Sequence, residues 1–282
     1  MKKQTKKLLY KKIGISVIII LILIPFFGFQ NKHLVITEYT YESDQIGAEL
    51  DGYRIVQISD LHNAIFGKQN QTLLDAIQSC SPDIIVITGD LVDSNHTNVE
   101  CAIRFVEEAV KIAPVYYVTG NHEYWLETSE REQMLEGIRS AGANDLEDET
   151  VCIEAGASSF LLVGMDDKHL ADQTLKELLT DQSELSIVLA HEPQFFSGYA
   201  DAGADLVLSG HAHGGQFRLP FVGGLVAPDQ GFLPEYTSGE YRIADTEMIV
   251  SRGLGNSIIP VRLFNYPEIV CVELRSGKKI AD

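Results

Sequence analysis

Residues 84–93 read Ile84-Ile85-Val86-Ile87-Thr88-Gly89-Asp90-Leu91-Val92-Asp93, a β-branched run that ends in a glycine and two carboxylates. Four consecutive apolar β-branched residues fit a short strand buried on both faces. The pattern recurs: apolar strands are expected at 54–58, 115–118, 160–163, 186–189 and 205–208. Helical periodicity lies between them, near 68–79, 97–112, 128–141 and 170–180, and Pro82 and Pro114 punctuate two helix-to-strand passages. This alternation predicts an α/β layered domain, a sandwich of sheets flanked by helices. Residues 34–41 alternate as an edge-type strand. Residues 246–252 and 268–274 read as further strands, with no clear helix between them. No internal repeat and no low-complexity tract is present.

The residues just beyond these strands carry the chemistry. The first strand is succeeded by Ser59-Asp60-Leu61-His62, the second by Gly89-Asp90-Leu91-Val92-Asp93, and the third by Gly120-Asn121-His122-Glu123. The fifth is succeeded by Ala190-His191-Glu192-Pro193 and the sixth by Gly210-His211-Ala212-His213. Sites in α/β sheets collect just beyond the carboxyl ends of strands. Of eight histidines, five fall in these motifs; His33, His96 and His169 stand outside them. One histidine after a strand is most often satisfied by a backbone carbonyl. Five at equivalent positions, joined by Asp and Asn, are costly to bury unless they are paired or coordinated. The donor set is imidazole, carboxylate and amide oxygen without thiolate, which suits Mn, Fe, Zn or a similar divalent ion. Seven candidate ligands (Asp60, His62, Asp90, Asn121, His191, His211 and His213) exceed what one ion needs, which points to two ions bridged by a carboxylate. Gly89, Gly120 and Gly210 adjoin the ligands, where tight turns need backbone freedom.

The N-terminus is different in kind. Lys2, Lys3, Lys6, Lys7, Lys11 and Lys12 form a basic head, succeeded by an apolar run over 13–29. As a helix that run spans about 25 Å, close to the hydrocarbon core of a bilayer. It ends Pro25-Phe26-Phe27-Gly28-Phe29-Gln30, bulky where a cleavable signal carries small residues. A retained anchor is therefore expected, rather than a cleaved signal or a buried soluble helix. Residues 1–32 form the head and anchor and 33–282 the soluble domain, with the lysines cytoplasmic and the domain outside. The chain has 22 basic and 40 acidic residues. Residues 1–37 hold seven of the lysines and no acid, so the rest carries a formal charge of −25. Such a body repels phosphate backbones, which excludes nucleic acid as a partner. It also repels anionic lipid headgroups unless cations bridge them. Cys80, Cys101, Cys152 and Cys271 form no C-x-x-C pair, which excludes a zinc knuckle. All four sit in apolar patterns and read as buried free thiols, with a disulfide the alternative in an exported domain.

In order, D-x-H, G-D-x-x-D, G-N-H-[DE], H and G-H-x-H, spread from Asp60 to His213, resemble the calcineurin-like metallophosphoesterase superfamily. The lysine head, the anchor and residues 210–220 (Gly-His-Ala-His-Gly-Gly-Gln-Phe-Arg-Leu-Pro) are similar to its membrane-associated bacterial branch. The resemblance implies a four-layer αββα sandwich preceded by one transmembrane helix. It implies Asp60, His62 and His213 as ligands of a first metal and Asn121, His191 and His211 as ligands of a second. Asp90 matches the bridging carboxylate, and His122 the non-ligand histidine that faces the leaving group. Asp93 and Glu123 fit roles orienting ligands or histidines, or are turn-capping acids. The implied reaction is two-metal hydrolysis, in which the ions acidify a bridging water and neutralise phosphoryl charge. His122, if protonated, donates to the departing oxygen.

A membrane anchor makes a lipid-linked phosphodiester, phosphomonoester or pyrophosphate the expected substrate class. Residues 217–232 carry Phe217, Leu219, Phe221, Val222, Leu225, Val226 and Phe232, which either pack into the core, the favoured reading, or form an apolar lip for an acyl chain. Two other classes stand beside the enzyme reading. An amidohydrolase-type metallohydrolase carries H-x-H first, whereas here D-x-H comes first and H-x-H last. A non-catalytic metal-binding surface protein needs neither the full ligand set nor His122. No G-x-G-x-x-G succeeds a strand, so a dinucleotide site is not supported.

Overall fold

The expected strands form because their side chains serve two apolar layers at once. In Ile84–Thr88, Ile84 and Val86 point to one hydrophobic cluster and Ile85 and Ile87 to another, all within 2 % of full burial. In Ser186–Leu189, Ile187 and Leu189 join the shared cluster and Val188 a third one. Two sheets back to back, each covered outside by helices, satisfy that demand.

The computed structural model describes residues 2–170, 173–179, 184–257 and 259–277. Twelve strands build the two sheets: β1 (Val35–Ser43), β2 (Arg54–Ile58), β3 (Ile84–Thr88), β4 (Val115–Val118), β5 (Asn144–Asp145), β6 (Glu149–Ala155), β7 (Ser158–Gly164), β8 (Ser186–Leu189), β9 (Leu206–Ser209), β10 (Gly239–Ile243), β11 (Thr246–Val250) and β12 (Glu268–Ser276). The first sheet has the order β1–β12–β2–β3–β4–β5 and the second β10–β11–β9–β8–β7–β6. β2, β3 and β4 are mutually parallel, as are β7, β8 and β9. The chain's last sheet strand, β12, lies antiparallel to β2 and parallel to β1 over nine residues, from Val35 beside Glu268 to Ser43 beside Ser276. β1 is an edge strand, as its alternation predicts.

Seven helices are described: α1 (Lys2–Lys32), α2 (Gln71–Ser79), α3 (Val99–Ala109), α4 (Asn121–Tyr124), α5 (Thr128–Ser140), α6 (Thr174–Leu178) and α7 (Phe196–Ala202). Leu73 and Ile77 of α2, Phe105 and Val106 of α3 and Met134 and Ile138 of α5 close over the outer face of the first sheet. Phe196 and Tyr199 of α7 do the same for the second. The Asn98 side chain caps α3 by accepting from Cys101 N–H. The architecture is the expected αββα sandwich with one apolar N-terminal helix. Within α1, Lys12–Lys32 is long and apolar enough to cross a membrane, and its side chains are mostly exposed. Two open sheets are not a closed barrel, which removes the amidohydrolase alternative.

Some expectations are corrected. The helix near 170–180 is five residues, Thr174–Leu178, and the expected span also touches residues 171, 172 and 180, outside the described set. The strands at 149–155 and 239–243 are absent from the pattern of expected strands. Both lie at sheet edges and bury only part of one face, so Glu149, Glu154 and Glu240 interrupt their apolar pattern. All four cysteines are free thiols, but only Cys80 and Cys271 are buried; Cys101 is half-buried and Cys152 exposed.

Truncating β3 tests the layered packing. Ile85→Ala, at a side chain with no solvent exposure, is expected to cost about 3 kcal/mol in denaturant unfolding with an unchanged m-value. Glu154→Ala, on the outer edge, is expected to change stability by less than about 0.5 kcal/mol.

Candidate metal centre

The expected ligands lie just beyond β2, β3, β4, β8 and β9, and the packing of the two sheets brings all seven to one rim. The seam is tied by buried polar contacts. Gln57 Nε2 donates across it to Ser209 O (2.9 Å) and, within its own sheet, to Thr88 Oγ1 (2.9 Å). His191 Nδ1–H, from the second sheet, donates to Thr88 O of the first at 2.7 Å. That bond fixes the tautomer and leaves the Nε2 lone pair aimed into the site.

Asp60, His62, Asp90 and His213 form one buried group, and Asp90, His191 and His211 a second that shares Asp90. In the first, Nε2 of His62 faces Nε2 of His213 at 3.1 Å, and Asp60 Oδ1 lies 3.6 Å from His213 Nε2. In the second, Asn121 Oδ1 lies 2.9 Å from His211 Nδ1 and 3.1 Å from His191 Nε2, and those two nitrogens are 3.2 Å apart. Asp90 Oδ2 stands 3.4 Å from His62 Nε2 and 3.4 Å from His191 Nε2. Its other oxygen, Oδ1, accepts His122 N–H at 2.9 Å.

These atoms fit metal ions by their chemistry. His191 carries its proton on Nδ1, and His211 uses Nε2–H towards Asp229 Oδ2 at 3.0 Å. The nitrogens left facing each other therefore present lone pairs, as do the Asn121 and Asp90 oxygens. Buried acceptors pointing only at acceptors are strongly unfavourable unless a cation sits among them. Burial pushes His62 down to about 3 and His213 well below its usual range, which keeps both imidazoles neutral and ligand-competent. Burial alone lowers His191 and raises Asp90, but the two face each other. The Asp90 charge holds His191 above the histidine range, and His191 with His62 holds Asp90 well below the carboxylate range; a proton on His191 Nε2 thus takes the place a bound cation would fill, and the cation would displace it.

The backbone at these ligands is unusual. Asp60, His62, Asp90, His211 and His213 have φ between 44° and 63°. Left-handed backbone is uncommon outside glycine and costs about 1 kcal/mol or more per residue. Asp60 is held there by His211 N–H, which donates to both its carboxylate oxygens (3.0 and 3.1 Å). The glycines divide into two kinds. Gly89 has φ 84° and needs turn freedom, as expected. Gly120 is extended; a Cβ there would lie 2.5 Å from Asp90 Oδ1 and 2.8 Å from His191 Nε2, so closeness rather than turn geometry excludes a side chain. Gly210 is of the second kind, against Ser59 and Asp60.

The remaining expected residues take distinct places. His122 lies beside the first group, its ring 4.5 Å from that of His62. Its Nδ1 accepts Ser94 N–H at 3.1 Å, so the neutral ring carries its proton on Nε2, 3.1 Å from Ser257 Oγ. Asp93 caps its own turn by accepting Asn95 N–H (3.0 Å), and its Oδ1 is 3.7 Å from His122 Nδ1. Glu123 is fully buried and touches no ligand side chain. Its carboxylate accepts the backbone N–H of Asp90 (2.9 Å), Leu91 (2.9 Å) and Gly120 (2.8 Å). Burial, then the Asp90 charge, pushes it up to about 8, against the pull of those donors.

Three residues of the site are not marked by any motif. The fourth expected strand, β7, also ends at this rim and supplies Asp167, which burial raises to about 7 and whose Oδ1 has no hydrogen-bond partner among the described residues. Its position after an apolar strand was the available signal. Asp229 reaches His211 from a loop. Arg262, with no solvent exposure, donates to Gly255 O and Arg252 O (2.8 Å to the latter), bracing the loop whose Gly255 N–H donates to Asp60 O at 2.6 Å.

Comparison with known proteins agrees with this geometry. A family profile described as calcineurin-like phosphoesterase matches residues 53–215. An uncharacterized metallophosphoesterase of Bacillus subtilis is 32% identical over 248 residues, covering 85% of each chain. A phosphodiesterase of Escherichia coli is 30% identical over 226 residues, 79% of this chain and 82% of that one. A transmembrane protein with metallophosphoesterase domain from Danio rerio is 28% identical over 254 residues, 83% of this chain and 56% of that one.

The Glu123 contacts can be tested independently of turnover. Glu123→Gln places an amide N–H₂ where backbone N–H groups need acceptors, and is expected to cost about 2–3 kcal/mol of metal-free stability. An unchanged unfolding midpoint would contradict the bonding described.

Proposed function

The chain belongs to the calcineurin-like phosphoesterase family and is a hydrolase acting on phosphoric esters, and we propose that it does so with two divalent cations, both of which Asp90 would help to hold. One would be held by Asp60, His62, Asp90 and His213, the other by Asp90, Asn121, His191 and His211. The observation that carries this is the single Asp90 oxygen 3.4 Å from an imidazole nitrogen of each group. Divalent ions held there supply Lewis acidity, acidifying water and neutralising charge on phosphoryl oxygens.

The chain's own residues do the rest. Asp60 and Asp90 are pinned by backbone N–H groups, so the donors are preorganised rather than gathered by the ion. His122, beside the first group with Nε2 3.1 Å from Ser257 Oγ, would donate to the leaving oxygen. With Nδ1 accepting Ser94 N–H, the neutral ring holds its proton on Nε2 and can hydrogen-bond the leaving oxygen, whereas outright proton transfer needs the imidazolium. Asp93 Oδ1, 3.7 Å from Nδ1, would favour the imidazolium, which can give its Nε2 proton to the leaving oxygen and remain as the neutral ring. Glu123 holds the Asp90 turn against Gly120 and so sets the position of the shared oxygen.

Residues 1–32 are the basic head and anchor and 33–282 the catalytic domain, with the lysines on the cytoplasmic side and the metal centre outside. The substrate is a phosphodiester, phosphomonoester or pyrophosphate at the membrane surface, with a lipid-linked group. Two facts support this: the apolar N-terminal span and the domain's formal −25, which disfavours free polyanions. Similarity to the Escherichia coli phosphodiesterase favours the diester.

Two variants separate binding from turnover. Asp90→Ala is expected to lower metal content and abolish hydrolysis of a chromogenic diester, with EDTA inactivation of the parent reversed by Mn. His122→Ala is expected to retain its metal and lose about 10²–10⁴-fold in kcat. Equal metal loss in both variants would remove His122 from the leaving-group role. Metal bound at full occupancy without hydrolysis of either a diester or a monoester would mark a binding protein.

A further inference from the structure

The segment 217–232 is not core. Of its seven large apolar side chains none is buried, and Phe221 is completely exposed. Among the described residues outside α1, eleven large hydrophobic side chains are exposed, and eight lie in two loops, 219–233 and 259–264. Phe221, Leu233 and Phe264 also have left-handed backbone, with φ of 67°, 53° and 51°. For bulky residues that conformation is an outlier. The chain therefore accepts strain to hold apolar side chains in a position that gains nothing in water.

The two loops form one ridge. Phe217 and Leu263 make a β-bridge, Arg218 N–H donates to Leu263 O at 2.9 Å, and Gln216 Nε2 donates to Ile259 O and Val261 O at 2.8 Å each. The end of α1 is clamped to the same ridge. Gln30, 2% exposed, accepts Phe264 N–H through Oε1 (2.8 Å). Asn31 Oδ1 accepts Arg262 N–H (2.8 Å) and its Nδ2 donates to Pro260 O (2.9 Å). Phe26 of α1 meets the Phe264 ring edge-on at 6.3 Å. On its inner side the ridge is joined to the metal centre, through Asn265 Nδ2 to His213 O (2.7 Å) and Asp229 to His211.

We infer that this ridge is a membrane-docking surface, which sinks its apolar side chains into the leaflet where α1 emerges and so holds the metal centre against the lipid surface. The inference rests on α1 being a retained span, and its continuity with α1 selects a bilayer as the occupant. Docking is apolar rather than electrostatic, because the acidic domain gains nothing from anionic headgroups; the contact is therefore insensitive to salt.

The test uses the full chain in phosphatidylcholine nanodiscs with and without brominated acyl chains. The chain's one tryptophan is removed by Trp125→Phe, and a single reporter is introduced as Phe221→Trp, as Leu21→Trp in α1, or as Glu154→Trp on β6. Expected are at least twofold quenching of the Phe221 and Leu21 reporters by brominated lipid, unchanged at high salt, and none at Glu154. A Phe221 reporter as unquenched as the Glu154 one, with Leu21 quenched, overturns the docking surface while leaving the span intact. A blue-shifted but unquenched Phe221 reporter that depends on copies per disc assigns the ridge to a second copy, and also overturns it. An unquenched Leu21 reporter overturns the span reading, and the docking surface with it.

Discussion

A carboxylate oxygen held between two groups of imidazole nitrogens sets most of this structure's constraints. Asp90 Oδ2 stays buried there only beside positive charge, a proton on His191 Nε2 or a cation in its place. Fixing that oxygen dictates its surroundings: His122 N–H must hold the other oxygen, Glu123 must gather the backbone N–H groups of the Asp90 turn, and position 120 cannot bear a side chain. Five ligands in left-handed backbone are the cost of aiming short side chains from the ends of two sheets at a common centre. Such strain persists only where surrounding contacts over-determine it. The His211 N–H bonds to Asp60 and the brace from Arg262 to Gly255 supply part of that.

The fold was legible wherever a strand is buried on both faces. The apolar runs at 84–87 and 186–189 have no interpretation except a sheet covered twice, and their registers place the ligand motifs at one rim. Legibility failed at edges. β6 and β10 carry outward acids and a half-buried face, so their alternation is blurred. The ligand set was legible because its members sit at one repeated position relative to strands. Asp229 and Arg262 were not, since their roles come from loop packing between distant segments and no local spacing encodes it. Glu123 was legible as part of a motif, but not in what it touches: backbone donors rather than ligand side chains. The 217–232 segment misled for a simple reason. Apolar composition reports a preference for leaving water and says nothing of whether the destination is a protein core.

The loop before β12 also joins α1 to the metal centre. β1 comes directly after α1 and pairs along its length with β12, the last strand of its sheet. The loop before β12 is the one that α1 clamps through Gln30 and Asn31, and it also braces His213 and Asp60. Helix, loop and metal centre are thus mechanically continuous. In the proposed reading, substrate access is governed by this geometry more than by any specificity pocket, and a phosphate carried at a lipid surface meets the site without leaving it.

The sharing of Asp90 by two cations is tested most directly by electron paramagnetic resonance of the purified protein titrated with Mn(II). The account predicts an exchange-coupled dimanganese spectrum near two equivalents, lost in Asp90→Ala. An uncoupled six-line signal at every stoichiometry, with full hydrolytic activity, would contradict it.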